Sequence, residues 1–202
     1  MDINLGFLAS HNGSNIQAVI TACKAGVLKA RPAAVISNNG DSGALLRARQ
    51  EGIPHYHLST KTHPAPEELD AAILDALVSN QVSLVILAGY MRKLGPQTLR
   101  HYQGRVINIH PALLPKYGGD GMYGLRVHQA VLEAGEKETG VTIHLADGDY
   151  DRGAIIAQSR VPVLPGDTAE TLSNRVLERE HSFLVETISK INTGEIILPT
   201  NG

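Results

Sequence analysis

Residues 105–116 read Arg105-Val106-Ile107-Asn108-Ile109-His110-Pro111-Ala112-Leu113-Leu114-Pro115-Lys116. Val106, Ile107 and Ile109 are apolar and β-branched, which suits a buried strand. Pro111 ends it, because proline cannot donate to a sheet ladder. Asn108 and His110 are two residues apart, so on an extended chain both side chains leave the same face. An amide and an imidazole therefore converge where a strand gives way to a loop. Open α/β sheets bind ligands at that carboxyl edge, and the pair is read as the reactive centre.

Upstream of this strand, apolar runs alternate with helical spacings. Strands are expected at Ile3–Leu8, Ala33–Ile36, His55–Leu58 and Val82–Leu87, the last near-continuously apolar, as a strand covered on both faces should be. Helices are expected at Ile16–Ala25, Ala44–Gln50 and Glu67–Val78, with Gly52 as a C-terminal cap of the second. The alternation implies a parallel sheet with right-handed crossovers. Downstream the pattern changes. Val141–Leu145 and Ala154–Val163 flank the acidic turn Asp147–Gly153 and should pair antiparallel. Thr168–Asn192 is one long amphipathic helix; Thr168 is its expected N-cap, without a full capping box because no Glu or Gln stands three residues on. The expected fold is thus α/β: a Rossmann-like, mostly parallel twisted sheet flanked by helices, with an antiparallel pair in the C-terminal half. No repeat or linker interrupts it, so 1–202 is read as one domain.

The bulk composition excludes several classes. At 202 residues, 43% hydrophobic and 19% charged, the chain suits a globular protein with one good-sized core. A formal net charge of -2 leaves no basic footprint for nucleic acid. Cys23, the sole cysteine, excludes an internal disulfide and fits a reducing compartment. The N-terminus lacks the basic and apolar regions of a signal peptide and no run is long enough to span a membrane, so a cytoplasmic location is expected.

Two further stretches sit at expected carboxyl edges. Ser10-His11-Asn12-Gly13-Ser14-Asn15 joins strand to helix, a geometry that offers backbone N–H groups to phosphate or carboxylate. It is neither a dinucleotide fingerprint nor a lysine-bearing P-loop, so a monophosphate suits it better than ATP; a plain polar connector reads equally well. Gly89-Tyr90-Met91-Arg92-Lys93 carries adaptable apolar groups suited to a flat heteroaromatic ligand, or to packing on a neighbouring helix. Asp151, in the acidic turn, is the third member of the expected centre: a carboxylate beside His110 would orient the ring and raise its pKa. His55, His57 and His144 form no metal-ligand pattern and are read as surface or packing residues; no metal is expected.

Together these residues resemble the phosphoribosylglycinamide formyltransferase family, folate-dependent enzymes of purine synthesis. The likeness is carried by Asn12–Asn15, Leu87–Arg92, Asn108–Lys116, Asp151-Arg152-Gly153, Asp167 and Glu180-His181, in the family's order over nearly the whole chain. It implies a nucleotide-binding half, 1–110, a folate and catalytic half, 111–202, and Asn108, His110 and Asp151 as the catalytic trio. It implies Asn12, Gly13, Ser14, Asn15, Pro111 and Glu180 around the ribonucleotide. Tyr90, Met91, Arg92, Lys93, Leu94, Asn108 and the turn at Asp147 would face the folate, and Leu114-Pro115 would be a cis bond. The implied reaction moves a formyl group from 10-formyltetrahydrofolate, a co-substrate, to the amine of glycinamide ribonucleotide. Its partners are those small molecules, with no nucleic acid and no membrane; a homodimer is compatible. Two segments depart from the family: 117–128 is longer than its shortest version, with Arg126 where some relatives carry histidine, and 60–66 lacks an arginine for the folate. A formyltetrahydrofolate hydrolase would be expected to add an N-terminal domain, and a methionyl-tRNA formyltransferase a basic C-terminal one. A non-catalytic nucleotide-binding module would not need all three of Asn108, His110 and Asp151.

Overall fold

The computed structural model describes residues 3–199, so the ends of the expected domain, 1–2 and 200–202, lie outside the described residues. The elements run β1 (Ile3–Leu8), α1 (Ser14–Lys24), β2 (Ala30–Ser37), α2 (Gly43–Gln50), β3 (His55–His57), α3 (Pro66–Ser79), β4 (Leu84–Leu87), α4 (Pro96–His101), β5 (Val106–His110), α5 (Leu125–Glu133), β6 (Glu138–Leu145), β7 (Ile155–Pro162) and α6 (Ala169–Thr193). They build one 7-stranded sheet of order β3-β2-β1-β4-β5-β6-β7. β1 to β5 pair in parallel, while β6 and β7 pair antiparallel to their neighbours. The expected fold class holds. Among the described residues no helix is long and apolar enough to cross a membrane.

Strand parity sorts the core into two layers. Leu5, Phe7, Leu84, Ile86, Ile107, Ile109, Val141 and Ile143 meet α1 and α6 residues such as Ile16, Val19, Leu172 and Leu184. On the other face Leu8, Val85, Leu87 and Val106 meet Ile73, Leu77, Leu94 and Tyr102 from the α3–α4 side. Asn108 and His110 share the parity of Val106, and Thr142 and His144 lie opposite them across β5–β6. Four polar residues therefore occupy one patch of sheet face. Buried polar groups need partners, and the loops after β5 and β6 supply them.

Two helices escape the sequence spacing. α4 starts at Gly95 with no side-chain cap of its own. Asp70, buried on α3, caps it instead: its carboxylate accepts from Gln97 N–H (2.7 Å), Thr98 N–H (3.1 Å) and Thr98 Oγ1 (2.6 Å). A Cβ at Gly95 would overlap that carboxylate, so the approach requires glycine there. α5 follows Gly124, which has φ 58° and provides no side-chain cap. The start of α6 corrects the expectation of an incomplete capping box. Thr168 Oγ1 accepts from Thr171 N–H, and Thr171 Oγ1 accepts from Thr168 N–H, so a threonine hydroxyl does the work of the missing glutamate.

Candidate active site

Strand order reverses between β1 and β4, the topological switch point at which open α/β sheets bind ligands. The loops leaving these strands are joined there. Ser10 N–H donates to Gly89 C=O (3.0 Å), Met91 N–H donates to Ser10 Oγ (2.8 Å), and Ser10 Oγ donates to Asn38 Oδ1 (2.6 Å). A cleft of about 790 Å³ opens beyond them.

At one end of the cleft α1 begins. Its N-cap is Gly13, in the left-handed region at φ 71°, and no side chain caps the helix. A Cβ at Gly13 would stand 2.8 Å from Ala44 Cα, so both backbone conformation and the approach of α2 call for glycine. An uncapped helix start leaves free N–H groups and a positive dipole end, which attract an anion. Asn15 Nδ2 donates to Glu180 Oε2 at 3.3 Å, and burial pushes the Glu180 carboxyl up to about 7 against that bond.

Mid-cleft, three side chains and one backbone amide surround the Asp151 carboxylate. The β5–β6 register puts Asn108 opposite His144. Asn108 Nδ2 lies 2.9 Å from His144 Nε2 and 3.3 Å from Asp151 Oδ1. His144 Nδ1 is 2.7 Å from Leu145 C=O, which can only accept; Nδ1 is therefore the protonated nitrogen, and Nε2 accepts from Asn108. Asp151 Oδ2 accepts from Gly119 N–H (2.9 Å) and stands 3.5 Å from His110 Nδ1. His110 Nε2 donates to Tyr117 C=O at 2.7 Å. Tyr117 and Asp151, which flank the ring, both adopt left-handed backbone (φ 57° and 56°). That conformation costs a non-glycine residue about 1–2 kcal/mol, and such cost concentrates at functional sites.

The protonation balance corrects one expectation. Burial outweighs the attraction of Asp151 and the Tyr117 bond, so His110 lies below its ordinary value and not above it. Asp151 is itself desolvated, but the neighbouring His144 and His110 rings and the Gly119 N–H bond favour its ionised form and hold it below the usual carboxylate range. A neutral imidazole thus faces an ionised carboxylate. His128, buried on α5, adds a second uncharged ring beside His110: burial, then His110, lower it to about 4, and its Nδ1 has no partner among the described residues.

In the segment after β4, Met91, Arg92 and Lys93 are exposed, whereas Tyr90 and Leu94 are buried; burial pushes the Tyr90 hydroxyl up to about 12. Lys93 Nζ reaches Asp149 (3.4 Å) and lies over the Tyr150 ring, 5.1 Å from its centre. Asn12–Asn15, Tyr90–Leu94, Asn108, His110, Pro111, Asp151 and Glu180, all named from the sequence, line this one cleft. Asp147 is exposed and not part of the lining, which takes Ala146 and Gly148–Asp151 from that turn. Leu114-Pro115 is cis.

The sequence reading missed four contributors: the ring of His144, the buried His128, the Tyr117 carbonyl and the Gly119 amide. Read from sequence, His144 has no role in the site, yet it is 1% exposed and bonded to Asn108. Its signal was the alternation Val141-Thr142-Ile143-His144, which gains meaning once β6 is paired with β5.

The cleft thus joins an anion-attracting helix start to a His–Asp–Asn group in which His110 is buried and Asn108 and Asp151 half-buried, the layout of an enzyme that moves protons on a bound anion. The chain belongs to the formyl transferase family, matched over residues 3–188. It is 39% identical over 197 residues to the phosphoribosylglycinamide formyltransferase of Haemophilus influenzae, covering 98% of this chain and 91% of that one. The Escherichia coli enzyme of the same name is 38% identical over 199 residues, covering 98% and 92%. Among solved structures, the phosphoribosylglycinamide formyltransferase of Coxiella burnetii superposes with a TM-score of 0.90 at 39% identity, over 100% of this chain and 92% of that one.

Proposed function

We propose that the protein transfers a formyl group from 10-formyltetrahydrofolate to the primary amine of glycinamide ribonucleotide, with Asn108, His110 and Asp151 carrying the chemistry. The observation behind this reading is that the trio shares one cleft with the uncapped start of α1 and the Tyr90–Leu94 wall. The phosphate takes the Gly13–Asn15 amides, with Asn12 and Pro111 beside it. Glu180 offers acceptor oxygens to hydroxyls of the same substrate. Met91, Arg92, Lys93 and Leu94 flank the folate, with the 148–151 turn opposite.

The amine nitrogen forms a bond to the formyl carbon, giving a tetrahedral intermediate with a developing oxyanion. Both Asn108 Nδ2 protons are engaged at rest, and the longer bond, 3.3 Å to Asp151, is the one the oxyanion would displace. A donor of this kind contributes typically about 3 kcal/mol. With Nε2–H held by Tyr117, Nδ1 is the nitrogen of His110 free to take a proton. It takes the amine proton, and the resulting imidazolium pairs with Asp151. As the bond from the formyl carbon to N10 breaks, that proton passes to the folate nitrogen, directly or through water. In this reading 1–110 carries the anion-binding turn and 111–202 the Asp151 turn, while Met91–Leu94, Asn108, His110 and Glu180 cross the division.

The test is to follow folate absorbance when the protein meets 10-formyltetrahydrofolate with and without glycinamide ribonucleotide. Deformylation that requires the ribonucleotide supports transfer. An equal rate without it would instead identify a hydrolase.

A further inference from the structure

We infer that Arg47 is the positioning residue and unneutralised cation of the anion-binding turn, and that it selects the phosphorylated acceptor; this rests on the acceptor proposed above. The turn has no lysine of its own. Arg47, on α2, stands behind it: Nε donates to Asn12 C=O (2.9 Å), a terminal nitrogen to Asn12 Oδ1 (3.1 Å) and the other to Gln17 Oε1 (3.3 Å). The fork holds both the backbone and the side chain of Asn12 and ties them to α1.

The consequence for the cleft follows from peptide geometry. His11 C=O accepts from Ala44 N–H (3.1 Å), and Asn12 C=O accepts from Arg47. In a trans peptide the N–H points opposite the C=O. With both carbonyls held toward α2, the N–H groups of Asn12 and Gly13 point away from α2. The turn itself lines the cleft. α2 can come this close because position 43 is glycine; a Cβ there would stand 2.8 Å from the Asn12 carbonyl oxygen.

The charge of Arg47 is not quenched at contact, since all three oxygens it reaches belong to neutral amides. Its field crosses the site: His181, next to Glu180 on α6, is lowered first by burial and then by Arg47. A guanidinium behind a ring of amides attracts an anion more strongly than the amides alone.

The test compares Arg47→Met and Arg47→Lys with the wild type, using glycinamide ribonucleotide and its unphosphorylated ribonucleoside as acceptors. Inorganic phosphate serves as a competitor. In Arg47→Met the preference for the phosphorylated acceptor should fall about tenfold or more, through KM and not kcat, and phosphate should inhibit correspondingly less. Arg47→Lys, which keeps the charge without the fork, should recover part of the preference. Equal loss on both acceptors would reduce Arg47 to a purely structural role, and an unaltered preference would remove it from recognition; either overturns the inference alone. A wild type that formylates neither acceptor would overturn the proposed function, and this inference with it.

Discussion

His144 Nε2 lies 2.9 Å from Asn108 Nδ2, directly across the antiparallel β5–β6 ladder. The contact fixes the amide plane, because the ring is itself fixed by the Leu145 carbonyl. His144→Phe keeps a buried ring but removes the acceptor, so Asn108 is free to rotate off the developing oxyanion. The expected result is a fall in kcat of about tenfold or more with little change in KM for either substrate. Steady-state kinetics on the purified variant decides it: wild-type kcat would show that Asn108 needs no such anchor.

His110→Ala and Asp151→Asn remove the proton acceptor and its counter-charge. Each should lower turnover by about a hundredfold or more, while calorimetric affinity for the ribonucleotide stays within a few-fold. A variant turning over at near the wild-type rate would lose its place in the trio.

Stability against pH should reveal two buried groups with opposite slopes. His128 is lowered from 6.5 to about 4, so below pH 6.5 the unfolded chain takes a proton that the folded chain refuses. Its contribution weakens as pH falls from 6.5 toward 4. Glu180 is raised from 4.5 to about 7, so the unfolded chain ionises first as pH rises, and its contribution weakens from 4.5 toward 7. In the wild type the two partly cancel. Glu180→Gln should steepen the loss of the urea midpoint on acidification across this range, and His128→Phe should reduce or reverse it. Identical slopes in all three proteins would contradict the assignment.

Asp70→Ala should be among the costlier substitutions away from the cleft. It strands two backbone N–H groups and leaves the Thr98 hydroxyl only the residue-70 carbonyl (3.3 Å), in a setting where Asp70 is 3% exposed. A loss of roughly 3 kcal/mol or more is expected from urea denaturation. A loss below about 1 kcal/mol would mean that α4 finds another cap.

The strands were legible because burial on both faces leaves continuous apolar runs, as in Leu84–Leu87 and the apolar part of Val106–His110. α6 was legible because its apolar spacing persists for 25 residues. α4 was not: it has 6 residues and takes its cap from Asp70, far away in sequence. α5 likewise begins without a side-chain cap. Asn108, His110 and Asp151 showed themselves through residue type at a strand end and an acidic turn. His144 did not, since its role depends on the partner strand and register. The direction of the His110 shift was equally hidden: Asp151 is visible in sequence, but the burial that outweighs it belongs to the assembled loops.

The Ser10 hydroxyl donates to Asn38 at the end of β2 and accepts from Met91 after β4. The two walls of the cleft are therefore bolted to the same frame, and neither can shift without the other. Their separation acts as a fixed ruler, set by the strand spacing of the sheet and not by whichever molecule enters first. For the proposed reaction this means that an acceptor whose anionic end and amine are spaced differently should react more slowly, even with both ends chemically correct.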